Sequence, residues 1–354
     1  MAGKCRRMWK KFKELSFFKK LGLIILIFII LILVLGILMP KDIHINVTET
    51  IKAPKNYTFN IVNDLRTQPL WNQWLREDKS ISLEYGNTVV GLGASYSWKS
   101  EKSGNGSMEF TEVSTYDYIH SKLSFEGFSD SKSDYSFKDK GNSESEMTWT
   151  FHSNIGFPYN IMGYLFKYSI QRSYRKSMRN LSLLAEERYK NGVYYDYKIV
   201  EEFAPERYLL TMRSVIPKGA KSQFINQTTA ALFSKLMHSD QMNIQMPVTL
   251  IYDAFRDDDR IDLAVGIQVP DFINIPDVNS VLLPAGQVVT GIHTGIADDF
   301  ELLHRAISAY MDDRSMLINR PVIEETLTDP GANTPAQNWQ YKVTYYISND
   351  KNNR

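Results

Sequence analysis

With 354 residues, 43% of them apolar and 23% charged, the chain has material for real cores and a solvated surface. That excludes disorder over most of its length, and the size favours two globular domains over one. The net charge of +1 hides an asymmetry: residues 1–20 carry eight basic side chains against one acidic, whereas the chain beyond residue 40 carries 33 Lys and Arg against 39 Asp and Glu. A body of that sign is poorly suited to phosphate backbones, so no nucleic-acid partner is expected.

Residues 1–20 read as a basic cytoplasmic head in which Trp9, Phe12, Phe17 and Phe18 alternate with lysines, as at a lipid headgroup layer. Leu21 to Met39 then supplies 19 uncharged, nearly all aliphatic residues before Pro40. That matches the ~20 needed to cross a ~30 Å hydrocarbon core. A cleaved leader has an apolar run of about 7 to 15 residues and a small-x-small site after it. Here the run continues into Met39, Pro40, Lys41 and Asp42, so 21–40 reads as a retained transmembrane helix whose partner is membrane lipid. Because basic flanks stay inside, the expected state is a single-pass protein of the cytoplasmic (inner) membrane. Its N-terminus is cytoplasmic and its bulk extracytoplasmic, periplasmic in a Gram-negative cell. Cys5 is the single cysteine, so no disulfide framework or thiolate metal site is expected beyond the head. Cys5 itself suits acylation or an unmodified thiol.

Residues 44–190 form the first expected domain. Ile43 to Ile51 alternates as a strand, a short helical pattern follows at Tyr57, Ile61 and Leu65, and a turn-rich helix carries Trp71 and Trp74. From Ile81 to Phe151, short strands are separated by turn signals at Tyr85-Gly86-Asn87, Ser103 to Gly106 and Lys140-Gly141-Asn142, as in an antiparallel meander. After Pro158 the period changes. Met162, Leu165, Phe166, Ile170, Tyr174, Met178, Leu181 and Leu184 recur at helical steps, which predicts a helix of about 30 residues with one buried stripe. Lys167, Arg172, Arg175, Lys176 and Arg179 form its solvated face. The sheet must curl around that helix, and such a curl leaves a cavity between them.

Ile51-Lys52-Ala53-Pro54, Tyr57-Thr58-Phe59, Asn63-Asp64 and Trp71-Asn72-Gln73-Trp74 resemble the opening of the polyketide cyclase-like branch of the START, or helix-grip (SRPBCC), superfamily. The resemblance spans the first domain. It implies a cavity for an apolar or amphipathic small molecule, with binding or carriage in most members and catalysis in a minority. Trp71 and Trp74 are candidate ligand-binding residues, although tryptophans that close the core of a small domain are more common.

Residues 196–348 form the second expected domain, and it is internally duplicated. Strands at Tyr197 to Phe203 and Tyr208 to Val215 precede a helix from Ala220 to Met237 and strands at Pro247 to Asp253 and Asp262 to Val269. The order then recurs: a strand from Gly286 to His293, a helix from Ala297 to Met311, strands at Pro321 to Leu327 and Trp339 to Ile347. Two such modules suggest a pseudo-twofold α+β domain with a ligand groove between its halves.

Pro321-Val322-Ile323-Glu324-Glu325, followed by Asp329-Pro330, resembles the signature of GyrI-like effector-binding domains. The resemblance implies that Glu324 is the pocket carboxylate, which in cation-binding members faces aromatic rings. An ionised carboxylate in an apolar groove favours a cationic or hydrogen-bond-donating ligand. Glu324 also suits an exposed strand position. The family's Gly-x-Tyr element is replaced by Gly295-Ile296-Ala297, and Thr326 stands where an aromatic residue is frequent.

The six histidines (His44, His120, His152, His238, His293, His304) show no metal-ligand spacing, and Asp257 to Asp259 lacks the alternation of a calcium loop. No metal and no cofactor are therefore expected. The expected fold class is α+β: a transmembrane helix, a helix-grip domain and a GyrI-like domain. The expected function is that of a membrane-anchored small-molecule-binding protein, acting as sensor, carrier or scavenger. The alternatives are a hydrolase or cyclase using a pocket carboxylate as general base, and an envelope protein-interaction module whose protein partners are unknown. Regulators with a GyrI-like domain carry a DNA-binding head, and here the apolar helix stands in that place.

Overall fold

The computed structural model describes residues 16–127, 130–157, 160–237, 246–254, 258–296, 300–328 and 334–348, with the backbone alone for 161–166 and 300. Cys5, Trp9, Phe12, His238, Asp257, Ala297 and Asp329-Pro330 lie outside these residues, as do the side chains of Met162, Leu165, Phe166 and Phe300. The chain divides into two units, Met1–Glu186 and Glu187–Arg354.

Unit 1 opens with α1 (Phe17–Leu38), a 22-residue helix in which only Gly36 is buried. Among the described residues, none covers its remaining apolar side chains. Among the described helices it is the one long and apolar enough to cross a membrane.

Strand β1 (Asp42–Ile51) alternates as its sequence demands, turning Ile43, Ile45, Val47 and Ile51 inward. Pro54 then opens α2 (Lys55–Asn63), because a missing N–H costs nothing at a helix start. The turn-rich helix expected next is two short ones, α3 (Gln68–Trp71) and α4 (Gln73–Glu77). Asn72 divides them: its Oδ1 accepts from the Trp74 N–H at 3.1 Å, a local bond that competes with helix continuation.

The meander follows as β2 (Ser82–Tyr85), β3 (Ser95–Lys99), β4 (Gly106–Ser114), β5 (Tyr118–Phe125), β6 (Ser131–Gly141) and β7 (Glu144–Asn154). β1 closes the far edge against β7, giving a seven-stranded antiparallel sheet of order β1-β7-β6-β5-β4-β3-β2. The β6–β7 hairpin turns at Asn142 and Ser143, with φ of 53° and 57°, the left-handed pair that suits strand twist. Helix α5 (Asn160–Lys190) runs 31 residues and buries Tyr174, Met178, Leu181 and Ala185 at helical steps. Tyr174 stacks on Trp149 of β7, centroids 3.8 Å apart, which fixes the helix to the inner face of the sheet.

Unit 2 is one nine-stranded sheet with two helices. Its first module is β10 (Arg207–Pro217), α6 (Lys221–Leu236), β11 (Val248–Asp253) and β12 (Arg260–Val269). Its second is β14 (Gly286–Thr294), α7 (Phe300–Asp313), β15 (Ile318–Thr326) and β16 (Gln340–Ile347). In each, the last strand lies between the other two, and the halves join antiparallel at β11 and β15. Three further strands extend the edges: β13 (Asn279–Leu283) beside β10, and β9 (Tyr197–Ala204) with β8 (Val193–Tyr194) beyond β14. The sequence pattern names no strand between Val269 and Gly286, where β13 lies. Helix α7 reaches the sheet because Gly291 has no side chain. A Cβ there would stand 2.6 Å from Leu303 Cδ1.

Candidate ligand-binding sites

In unit 1 the gap between sheet and α5 is a cavity of about 1020 Å³. That is the upper end of the range for small-molecule sites. Its walls are aromatic. Trp74 from α4 stacks on Phe125 of β5 with centroids 5.5 Å apart, and Trp98 of β3 meets the same ring edge-on at 5.6 Å. Deeper, Tyr135 of β6 leans on Trp149 at 5.3 Å. Burial pushes the phenols of Tyr135 and Tyr174 far above their ordinary value, so both stay neutral.

Polar atoms inside are few and mostly paired with one another. Ser131 Oγ donates to Ser153 Oγ at 2.9 Å, and Trp149 Nε1 donates to Ser133 Oγ at 2.9 Å. Trp98 Nε1 is buried and has no partner among the described residues. An unmade bond of that kind costs about 1–3 kcal/mol, so an acceptor on a guest molecule would be well received there.

The two tryptophans singled out from the sequence take different places. Trp74 lines the cavity. Trp71 is fully buried in the wall behind it, its ring edge-on to Trp149 at 5.6 Å and its Nε1 donating to Thr67 Oγ1 at 3.2 Å. It is not among the residues that line the cavity.

In unit 2, Glu324 lies on β15 at the seam of the two modules, opposite Thr249 of β11 and Val343 of β16. It is 6% exposed, so it is no surface strand residue. Lys221, the first residue of α6, sets its Nζ 2.9 and 2.8 Å from the two carboxylate oxygens. His304 of α7 places Nε2 3.0 Å from Oε1, and its Nδ1 lies 2.9 Å from the Tyr345 hydroxyl. With Nε2–H donating to the acid, Nδ1 is free to accept the phenol proton, so a neutral imidazole satisfies both contacts. Burial pushes the Glu324 pKa up, but the His304 hydrogen bond and the Lys221 charge outweigh it and hold the carboxylate below its ordinary value. Burial also pushes Tyr345 up to about 12.

This geometry revises the sequence-based picture of an acid waiting for a cationic ligand. Lys221 already neutralises Glu324, and a ligand cation must displace it. Lys221, His304 and Tyr345 were not singled out as site residues. Lys221 opens a helix more than 100 positions upstream of Glu324, and no local spacing signals a contact made across a sheet. Among the described residues, no cluster of three or more His, Cys, Asp or Glu is placed to hold a metal.

A duplicated sheet with two helices and a buried, paired carboxylate at its seam defines unit 2 as an α+β ligand-binding domain. The sequence pattern of the GyrI-like small molecule binding domain matches residues 170–347, half of the chain, and the chain belongs to that family. Among solved structures it is similar to the EcmrR C-terminal domain, at 17% identity over 43% of this chain and 98% of that one, TM-score 0.38. EcmrR in complex with DNA also matches, at 16% identity over 54% and 72%, TM-score 0.39. A hydrolase from Listeria innocua matches at 14% identity over 42% and 91%, TM-score 0.32. No match is found among curated proteins.

Proposed function

We propose that the chain is a membrane-anchored binding protein for small molecules, a sensor, carrier or scavenger with two sites. One is the unit 1 cavity, for an apolar or amphipathic guest. The other is the Glu324 seam, for a guest that exchanges with the Lys221 ammonium. The observation that carries this reading is the cavity of about 1020 Å³, walled by aromatic rings and holding few unpaired polar atoms. Unit 1 is read as a helix-grip domain of the SRPBCC type, supported by its strand order and by the stacking of α5 on β7.

Anchoring is supported by the exposure of α1, whose aliphatic side chains no protein core covers. At about 1.5 Å per residue its 22 residues span about 33 Å, enough to cross a bilayer. Nucleic acid is left out as a partner because the body beyond residue 40 is net acidic. A hydrolase or cyclase with Glu324 as base is disfavoured, since a carboxylate held below its ordinary pKa is a weak base at neutral pH.

Purifying the full chain in nanodiscs and releasing bound molecules for mass spectrometry tests the reading. The expected result is a small molecule that raises the melting temperature on re-addition and returns unchanged. No such molecule would overturn binding, and a chemically altered one would favour an enzyme.

A further inference from the structure

The ends of the unit 1 strands decide where its cavity opens. β1 begins at Asp42 opposite Asn154, where β7 ends, and β3 ends near Trp98 opposite Gly106, where β4 begins. β5 ends at Phe125 and β6 begins at Ser131. Ile43, Trp98, Asn105, Phe125, Ser131 and Asn154 all line the cavity, and all sit at this one end of the sheet. The exposed residues Asn105 and Asn154, with Ser169 on α5, form its rim.

That is also the end from which α1 departs. Only Met39, Pro40 and Lys41 separate α1 from β1, a reach of about 10 Å at full extension. The junction is fastened. Ile155 N–H donates to Lys41 O at 2.8 Å, and Asn154 Nδ2 donates to Asp42 Oδ1 at 2.7 Å. Asn160 Nδ2 donates to Gly36 O at 2.6 Å and to Met39 O at 3.2 Å. Phe157 and Tyr168 stand exposed beside the mouth, at the level where aromatic side chains favour the lipid interface. With α1 across a bilayer, a headgroup layer roughly 5–8 Å deep on each side of the hydrocarbon core lies within that reach, which brings the mouth to it.

Charge narrows the guest. Among the described lining residues the charged side chains are Glu77 and Glu126, with no Lys or Arg. Glu126 Oε2 accepts from Asn105 Nδ2 at 2.8 Å, so it remains an acceptor-rich rim. Glu77 is already paired with Lys176, whose Nζ lies 3.0 Å from its Oε1, so Glu126 is the carboxylate left facing a guest, and an anionic headgroup finds no Lys or Arg among those lining residues.

We propose that this cavity is loaded from the bilayer: its guest is a membrane lipid with an uncharged head, which enters tail first through the mouth beside the end of α1. The proposal rests on the membrane reading above. Its tail lies among Trp149, Tyr135 and Met108, and its head stays at the asparagine rim.

The test uses the full chain in phosphatidylcholine vesicles that contain a trace of photoactivatable diacylglycerol, with adducts mapped by peptide mass spectrometry after irradiation. Adducts are expected on β6 and β7 inside the cavity, at least tenfold above those from a photoactivatable fatty acid of equal chain length. Ser169→Trp, at an exposed rim position, is expected to cut the interior adducts about tenfold with the melting temperature unchanged. Protein that floats with the vesicles but is labelled only along α1 would overturn the loading route. Equal labelling by the fatty acid would overturn the uncharged head. Protein that does not float would overturn anchoring and loading together, and its binding of dioctanoylglycerol from solution would leave the cavity itself as a binding site.

Discussion

The two units solve the problem of a buried interior in opposite ways. Unit 1 keeps a large volume open and lines it mostly with rings and neutral hydroxyls, its two lining carboxylates, Glu77 and Glu126, being exposed. Unit 2 buries a carboxylate at the seam of its sheet and satisfies it from both sides, with an ammonium and an imidazole. The contrast separates space from charge: under the proposed function the first site would select by shape and polarity, the second by what can replace Lys221.

The largest expected effect breaks unit 1 from behind its cavity. Trp71→Ala deletes a fully buried ring and should cost about 3–5 kcal/mol in urea unfolding, whereas Trp74→Ala should cost much less and lower affinity for a cavity guest instead. Equal losses of stability would erase the difference between wall and lining. Next comes Lys221→Met, which strips the buried carboxylate of its ammonium and should destabilise unit 2 by about 3 kcal/mol. Adding Glu324→Leu should recover most of that loss, and a double mutant as unstable as the single one would mean the pair is not the unit of stability.

Asn160→Ala removes the bonds to Gly36 and Met39 and should cost about 1 kcal/mol, read as faster amide exchange at the end of α1. The smallest effect is acidic. Glu324 titrates below its ordinary value of 4.5, so its contribution is complete above that value and disappears as pH falls through the lower, folded one. Glu324→Gln should flatten the acid limb of unit 2 stability, followed through Trp339 fluorescence. An unchanged limb would assign the acid sensitivity to other groups.

Much of the architecture could be read from local chemistry. Turn signals such as Gly141-Asn142 mark real hairpins, and the three-and-four spacing from Tyr174 to Leu181 marks the buried stripe of α5. Local chemistry also misled. Asn72 interrupts what reads as one helix, and the edge strand β13, defined by a single neighbour, lies where the sequence pattern names no strand. The site was legible only in part. The signature singles out Glu324 as a candidate, but the side chains that pair with it come from two helices in different modules, and Trp71 and Trp74 lie three positions apart yet only one of them lines the cavity.

The pairing of β11 with β15 carries one further consequence. Residues directly opposite each other across these two strands have Cβ atoms about 4.5–5.5 Å apart, and two acids so placed would repel. A hydroxyl, Thr249, stands opposite Glu324 instead. Glu324 is the buried carboxylate among the described residues of this unit, and its strand neighbour gives the seam a direction: acid on one side, alcohol on the other.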